Sequence, residues 1–210
     1  MKKSRRDPWL NKNQHERDYY VNMARHEGWR SRSVFKLKQI NSKVNILHPG
    51  MICIDLGSSP GGWSQYVSKY LKKKVKIIAV DLLPMDTIPS VEFIQGDITQ
   101  KYVFNGIMKL LKNTKAGLVM SDIAPNITGV RSTDQSRSIQ LAELSLDLSS
   151  KLLKRKGNFI CKLFQGEGCE EFIDEARKSF IQIKIIKPAA SRPKSREIYF
   201  IGKYFCNSIK

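Results

Sequence analysis

Apolar and polar positions along the chain fall into two alternating rhythms. Short runs rich in Ile, Val and Leu read as buried strands at 51–56, 75–80, 91–95, 117–122, 157–163, 181–187 and 197–204. Between them, apolar residues spaced three and four apart predict helices over 62–72, 103–113, 134–154 and 170–179. Strand–helix alternation of this kind predicts an α/β, Rossmann-like fold: a seven-stranded, mostly parallel sheet with helices on both faces. Only about ten residues separate the last two strands, too few for a helical crossover, so the last strand is expected to be antiparallel. Ahead of the first strand, 11–24 has helical character, and 33–40 reads as an amphipathic helix capped by Ser33.

Charge adds a partner. The 210 residues carry 37 Lys and Arg against 19 Asp and Glu, a net charge of +18. The excess runs through the whole chain and is marked in 1–43, where twelve basic residues face four acidic ones with aromatics interleaved. A polyanion, nucleic acid by default, is the expected partner, because neutralising phosphates releases counterions. Residues 1–43 are therefore read as a basic, nucleic-acid-binding extension packed on a core domain at 44–210, together one globular unit. A membrane is the competing polyanionic surface, but no apolar run approaches the length of a span, and the first residues lack the apolar segment of a secretory signal. The four cysteines show no metal-ligand spacing. A cytoplasmic, monomeric protein without disulfides, metal or membrane attachment is expected.

Candidate chemistry gathers at strand ends. The run Ile52-Cys53-Ile54-Asp55-Leu56-Gly57 breaks into Ser58-Ser59-Pro60-Gly61-Gly62-Trp63 and then into a helix. A strand, a glycine loop and a helix in that order bring backbone close to a nucleotide-like ligand. The loop has neither G-x-x-x-x-G-K-[ST] nor G-x-G-x-x-G, and its leading carboxylate would repel a pyrophosphate. These features favour an adenosine ligand without phosphates, S-adenosylmethionine (SAM), over a dinucleotide. Asp81, 26 residues after Asp55, is placed for ribose hydroxyls, and Asp97, after the third run, for an adenine amine. A strand-end Asp is as often a local cap; three on neighbouring strands are harder to explain that way. Asp122 ends the fourth run before Pro125, at the edge where open α/β sheets bind ligands. Lys162 interrupts the apolar fifth run, so it must meet a partner or a cavity. Glu197 closes the basic loop Ser191-Arg192-Pro193-Lys194-Ser195-Arg196 before the last strand. Arg30, Arg32, Lys194 and Arg196 are candidates for phosphate contacts, and Tyr19 and Trp29 for base stacking.

Five segments in order, Ser31–Leu37, Asp55–Gln65, Ser121–Asn126, Lys162–Gly166 and Ser191–Glu197, resemble the FtsJ-type ribose 2′-O-methyltransferases over nearly the whole chain. The loop departs only in carrying Ser58-Ser59 where the family has small residues such as alanine. The resemblance implies a Lys-Asp-Lys-Glu tetrad of Lys36, Asp122, Lys162 and Glu197, with Lys162 the candidate proton acceptor. It further implies SAM held by Gly61, Trp63, Asp81, Asp97 and Asp122. The implied substrate is a uridine of 23S ribosomal RNA on the assembled large ribosomal subunit. Transfer RNA or an mRNA cap as substrate, an NAD-linked oxidoreductase, and a non-enzymatic RNA-binding protein on the same fold are the competing readings.

Overall fold

Alternate residues of a strand face opposite sides of its sheet, and that parity organises the computed structural model, which describes residues 19–206. Seven strands, β1 (Ile52–Leu56), β2 (Lys76–Asp81), β3 (Val91–Gln95), β4 (Ala116–Ser121), β5 (Leu153–Phe164), β6 (Phe180–Ile186) and β7 (Glu197–Phe205), form one sheet in the order β3-β2-β1-β4-β5-β7-β6. Neighbours from β3 through β5 pair in parallel. β7 is antiparallel to both β5 and β6, as expected for the last strand.

Cys53, Ile77, Leu118, Met120, Ile160, Tyr199 and Ile201 pack on one face, against α2 (Val34–Val44), α3 (Gly62–Tyr70) and residues of the helical stretch 19–26, called α1. Their neighbours in sequence, Ile54, Ile78, Val119, Phe159, Cys161 and Phe200, pack on the other. There they meet α4 (Lys101–Leu111), α5 (Arg131–Leu152) and α6 (Cys169–Arg177). Burying each large side chain is worth about 1.5–3 kcal/mol, so both layers are held by the same two-residue alternation. Val34, Phe35, Leu37, Ile40 and Val44 of α2 belong to the first layer, and the sequence boundary at 43/44 cuts the last turn of that helix.

The structure departs from the sequence reading at two places. Ser33 makes no side-chain cap and its backbone is already helical; its Oγ instead meets Ser31 Oγ at 2.6 Å, and its carbonyl accepts the indole N–H of Trp63 at 2.9 Å. β5 begins at Leu153, directly after α5, not at 157. Its pairing with β4 shifts register between Leu153 and Asn158, where Lys156 has a φ of +63° and the solvated Lys154-Arg155-Lys156 breaks the apolar rhythm. Of the helix expected at 11–24, residues 19–24 are helical, and the rest lies outside the described residues. Cys53, Cys161 and Cys169 are buried as free thiols. Among the described residues no helix is long and apolar enough to cross a membrane, and no His, Cys, Asp and Glu group could hold a metal ion.

Candidate active site

Strand parity and one reversed strand assemble the cluster. Asp55 on β1, Asp122 just past β4, Lys162 on β5 and Glu197 on β7 share the parity of Cys53, Met120, Ile160 and Tyr199, so all four face the layer holding α2 and α3. Because β7 runs backwards, its first residue lies beside the carboxyl end of β5: Glu197 pairs with Phe164, and Tyr199 with Lys162. Lys36, in the first turn of α2, enters from above.

The four expected catalytic residues form one chain of contacts. Lys162 Nζ lies 2.8 Å from Asp122 Oδ1 and 3.4 Å from Glu197 Oε2. Lys36 Nζ meets Glu197 at both oxygens, 2.7 Å and 2.8 Å. Lys162 also donates to the Asp122 carbonyl at 3.2 Å, so all three of its N–H donors have acceptors. Only 9% of the Lys162 side chain is exposed. Burial alone would drive off its proton, but Asp122 and Glu197 outweigh it and hold its pKa above the ordinary lysine value. The carboxyls answer in kind. Burial pushes Asp122 and Glu197 up, yet Lys162 and then Lys36 bring each below its usual value.

Two partners of this cluster escaped the sequence reading. Tyr199 is fully buried and donates its hydroxyl to Asp122 Oδ1 at 2.7 Å, with Lys36 Nζ 5.8 Å from its ring centre. Burial, reinforced by Asp122 and Glu197, keeps that phenol protonated, its pKa well above the usual value. Ser191 Oγ donates to Glu197 Oε1 at 2.8 Å. The available signal for Tyr199 was parity, since it stands two residues beyond Glu197 on the same face. Removing a hydrogen bond to a charged group costs about 1.5–3 kcal/mol. Tyr199→Phe is therefore expected to lower turnover roughly tenfold while leaving ligand affinity within about twofold, as read by initial rates and calorimetry.

The glycine loop lies alongside. Asp55, 1% exposed, accepts from Ser64 Oγ at 2.6 Å and so ties β1 to the first turn of α3. Burial raises its pKa to about 7, against the Ser64 hydrogen bond and with Asp122 adding to the rise. Among the described residues, Asp55 Oδ1 and Ser58 Oγ are buried without a hydrogen-bond partner. Buried polar atoms are rarely left so, which marks the loop as a place for a polar ligand group. Gly61 has a φ of +102°, and a Cβ on it would come within 2.7 Å of Ile88 Cδ1 and 2.9 Å of Met85 Sδ. Asp81 spans the loop: Oδ2 accepts the Ser59 N–H and Oδ1 the Leu83 N–H, both at 2.8 Å. A carboxylate has about four lone-pair sites, so hydroxyl groups of a ligand can still be accepted. Asp97 Oδ1 takes the N–H and hydroxyl of Thr99 at 2.8 Å, the local turn that strand-end aspartates often make. The Trp63 indole is buried beside Tyr199, with ring centres 5.8 Å apart, so its side chain serves the core of the site.

Several residues expected to touch RNA have internal work. Arg30 donates to the carbonyls of Pro60 (3.2 Å), Asp86 (2.7 Å) and Thr87 (2.8 Å), clamping the glycine loop to the β2–β3 connection. Arg32 reaches the Ala190 carbonyl at 2.7 Å, and Arg196 reaches Gln135 Oε1 at 3.2 Å. Trp29 is half-buried against Tyr66, whereas Tyr19 and Lys194 are exposed. Gln135, which the sequence reading passed over, donates to the carbonyls of Phe164 and Glu167 at 2.9 Å and so fixes the loop after β5.

Known proteins resemble this chain in sequence and fold. The model of the FtsJ-like methyltransferase family matches residues 29–205. A ribosomal RNA large subunit methyltransferase E of Marinobacter nauticus is 46% identical over 94% of this chain and 94% of its own length. The protein of that name in Stutzerimonas stutzeri is 46% identical over 97% of each chain. A crystal structure of a protein described as a ribosomal RNA methyltransferase from Plasmodium falciparum superposes with a TM-score of 0.77 at 31% identity, covering 84% of this chain and 98% of that one. A family match running from the clamp at Arg30 through all seven strands, joined to relatives of nearly equal length, places this chain in the FtsJ-like methyltransferase family.

Proposed function

We propose that the protein transfers the methyl group of SAM to a ribose 2′-hydroxyl, that of a uridine in 23S ribosomal RNA on the assembled large subunit. The observation that carries the chemistry is the Lys162 ammonium held between Asp122 and Glu197, with Lys36 on the far side of Glu197, next to the glycine loop. The relatives' names support ribosomal RNA as the substrate; the uridine and the assembled subunit rest on the resemblance to FtsJ-type enzymes.

The residues suit a hydroxyl nucleophile. Enzymes that act on bases commonly stack them on aromatic faces, but Trp63 and Tyr199, the aromatic residues within this cluster, are buried. A 2′-hydroxyl must instead be aimed and must give up its proton, and Lys162 is the amine placed for both tasks. Asp122 fixes the Lys162 amine, and Glu197 joins it to Lys36. The implied cofactor fits the loop: Gly61 and the first turn of α3 bring backbone amides close, Asp81 accepts ribose hydroxyls, and the unpartnered Asp55 and Ser58 atoms receive a polar, cationic end. When bound, SAM supplies a methyl group already activated by its sulfonium.

Incubation with labelled SAM and large subunits lacking the modification, followed by nuclease digestion, is expected to yield 2′-O-methyluridine. Label in a base, or in transfer RNA in place of ribosomal RNA, would overturn the reading. A second outcome follows from Asp55. Its raised pKa means that between about pH 4 and 7 the folded protein holds a proton that the unfolded chain has released, so its contribution to stability is fully present below about pH 4 and lost as pH rises through about 7. A cation bound beside Asp55 lowers that pKa, so SAM binding at pH 6.5 is expected to release part of a proton. Calorimetry in buffers of different ionisation enthalpy reads the release. Asp55→Asn should abolish it, and an unchanged release in that variant would remove Asp55 from the cofactor site.

A further inference from the structure

Four cations converge on a surface that the reaction does not use. Arg30, Lys69, Lys72 and Lys73 line a cavity of about 490 Å³ with Ser68 and Ile88, where the end of α3 meets the β2–β3 connection. No carboxylate lines it, and among the described residues none of the three lysines makes an ion pair. Among exposed lysines elsewhere Lys151 pairs with Asp147 and Lys178 with Glu175, while others such as Lys101 and Lys112 also stand unpaired; what sets these three apart is the hollow they share. Arg30 spends its hydrogen bonds on neutral carbonyls, so its charge is not cancelled. Lys72 and Lys73 have consecutive positive φ angles of 50° and 61°, a tight turn that brings both to the same hollow. Lys69 Nζ stands 4.5 Å from the centre of the Trp29 ring.

Cations also suit a helix C-terminus because they oppose its dipole. Lys69, in the last turn of α3, already does this. The dipole accounts neither for the concave shape nor for two further unpaired lysines past the helix end. Uncancelled positive charge in a groove beside an aromatic ring is the pattern that tracks a nucleic-acid backbone. A lipid surface is flat and suits a hollow of this kind less well.

We infer that this groove binds the phosphodiester backbone of the substrate RNA, away from the reaction centre, and adds affinity without taking part in chemistry. This rests on the reading of RNA as substrate. Arg30 and Ile88 set one end of the groove against the glycine loop. Lys72 and Lys73 lie past the other end of α3, whose nine residues span about 13 Å, so the lysines stand roughly four duplex steps beyond the loop.

The test is Lys72→Glu/Lys73→Glu in the full chain, assayed on unmodified large subunits across salt concentrations. KM is expected to rise at least tenfold, with kcat within about twofold and SAM affinity unchanged. The slope of log affinity against log salt should shrink by about 1–2, and Lys72→Arg/Lys73→Arg should keep the original KM. An unchanged KM and slope, with only a lower Tm, would assign the lysines to the helix dipole and overturn the inference. Loss of binding to phosphatidylserine vesicles without a change in KM would also overturn it. Fluorescence anisotropy with labelled ribosomal RNA reads the groove independently: if the unsubstituted protein methylates no RNA, the proposed function fails, while weaker RNA binding by the variant still upholds the groove.

Discussion

Replacing Lys162 by Ala is expected to lower methyl transfer about 10³-fold, within the span that positioned acid–base groups contribute, while SAM affinity changes less than about threefold. The separation follows from geometry: Lys162 contacts Asp122 and Glu197, whereas the loop expected to hold the cofactor is built from Asp55, Ser58, Gly61 and Asp81. Stability should also fall, by about 3 kcal/mol. That is the low end for a broken buried ion pair, because Asp122 keeps the Tyr199 hydroxyl and Glu197 keeps Lys36. Lys162→Met, which keeps the unbranched side chain but for its terminal amine, checks that lost packing is not the cause. Normal turnover by either variant would remove Lys162 from the mechanism.

The same contacts set the pH behaviour. A general base must be neutral, yet Asp122 and Glu197 raise the Lys162 pKa, so in the free enzyme the neutral fraction at pH 7 is small. If loss of that proton limits attack, log(kcat/KM) should climb with unit slope between about pH 6 and 9. A flat profile would mean that Lys162 acts as a charged donor that orients the hydroxyl. The linkage to folding has two sides. The raised Lys162 pKa stabilises the fold below 10.5, and this is lost as pH rises through its folded value. The lowered Asp122 and Glu197 pKa values stabilise it above about 4, and this is lost as pH falls through theirs.

Much of the architecture could be read from the sequence because strand parity and helix spacing are local signals. Strands such as Ile77-Ile78-Ala79-Val80 announce burial on two faces, and the short link before Glu197 announces a reversed strand. The Lys-Asp-Lys-Glu set was named from the resemblance; the spacing alone supplied three separate strand-end oddities. What stayed hidden is whatever depends on contacts between distant elements. Arg30 looks like a phosphate ligand in a basic segment, but its partners are carbonyls 30, 56 and 57 residues away. Ser33 precedes a helix as a cap would, but its carbonyl is claimed by Trp63. Tyr199 reads as one more core aromatic until β7 is laid antiparallel against β5 and its hydroxyl meets Asp122. Each of these polar groups found its partner only after the chain had folded back on itself.

Gly57→Ala should show how closely the glycine loop and the Asp122 end of β4 are coupled. Gly57 has a φ of +74°, where an alanine costs about 1–2 kcal/mol. Its Cβ would sit 2.4 Å from Ile123 Cγ1 and 3.1 Å and 3.2 Å from the Ile123 Cα and N. Overpacking of that kind costs about 1–3 kcal/mol more, so a drop in Tm of roughly 5–15 °C is expected. The functional loss should exceed the structural one, because Ile123 is bonded to Asp122. Any retreat of the Ile123 backbone shifts the Asp122 carboxylate and carbonyl, both of which hold Lys162. At a temperature where the variant is fully folded, SAM affinity should fall at least tenfold and methyl transfer at least a hundredfold. Adding Ile123→Ala removes the 2.4 Å clash but not the two backbone approaches. SAM affinity in the double variant should therefore recover only in part. Full recovery of both affinity and rate would show that the side chain alone was at fault and that the loop and Asp122 move independently. No recovery would place the whole defect in the φ of residue 57 and the two backbone approaches.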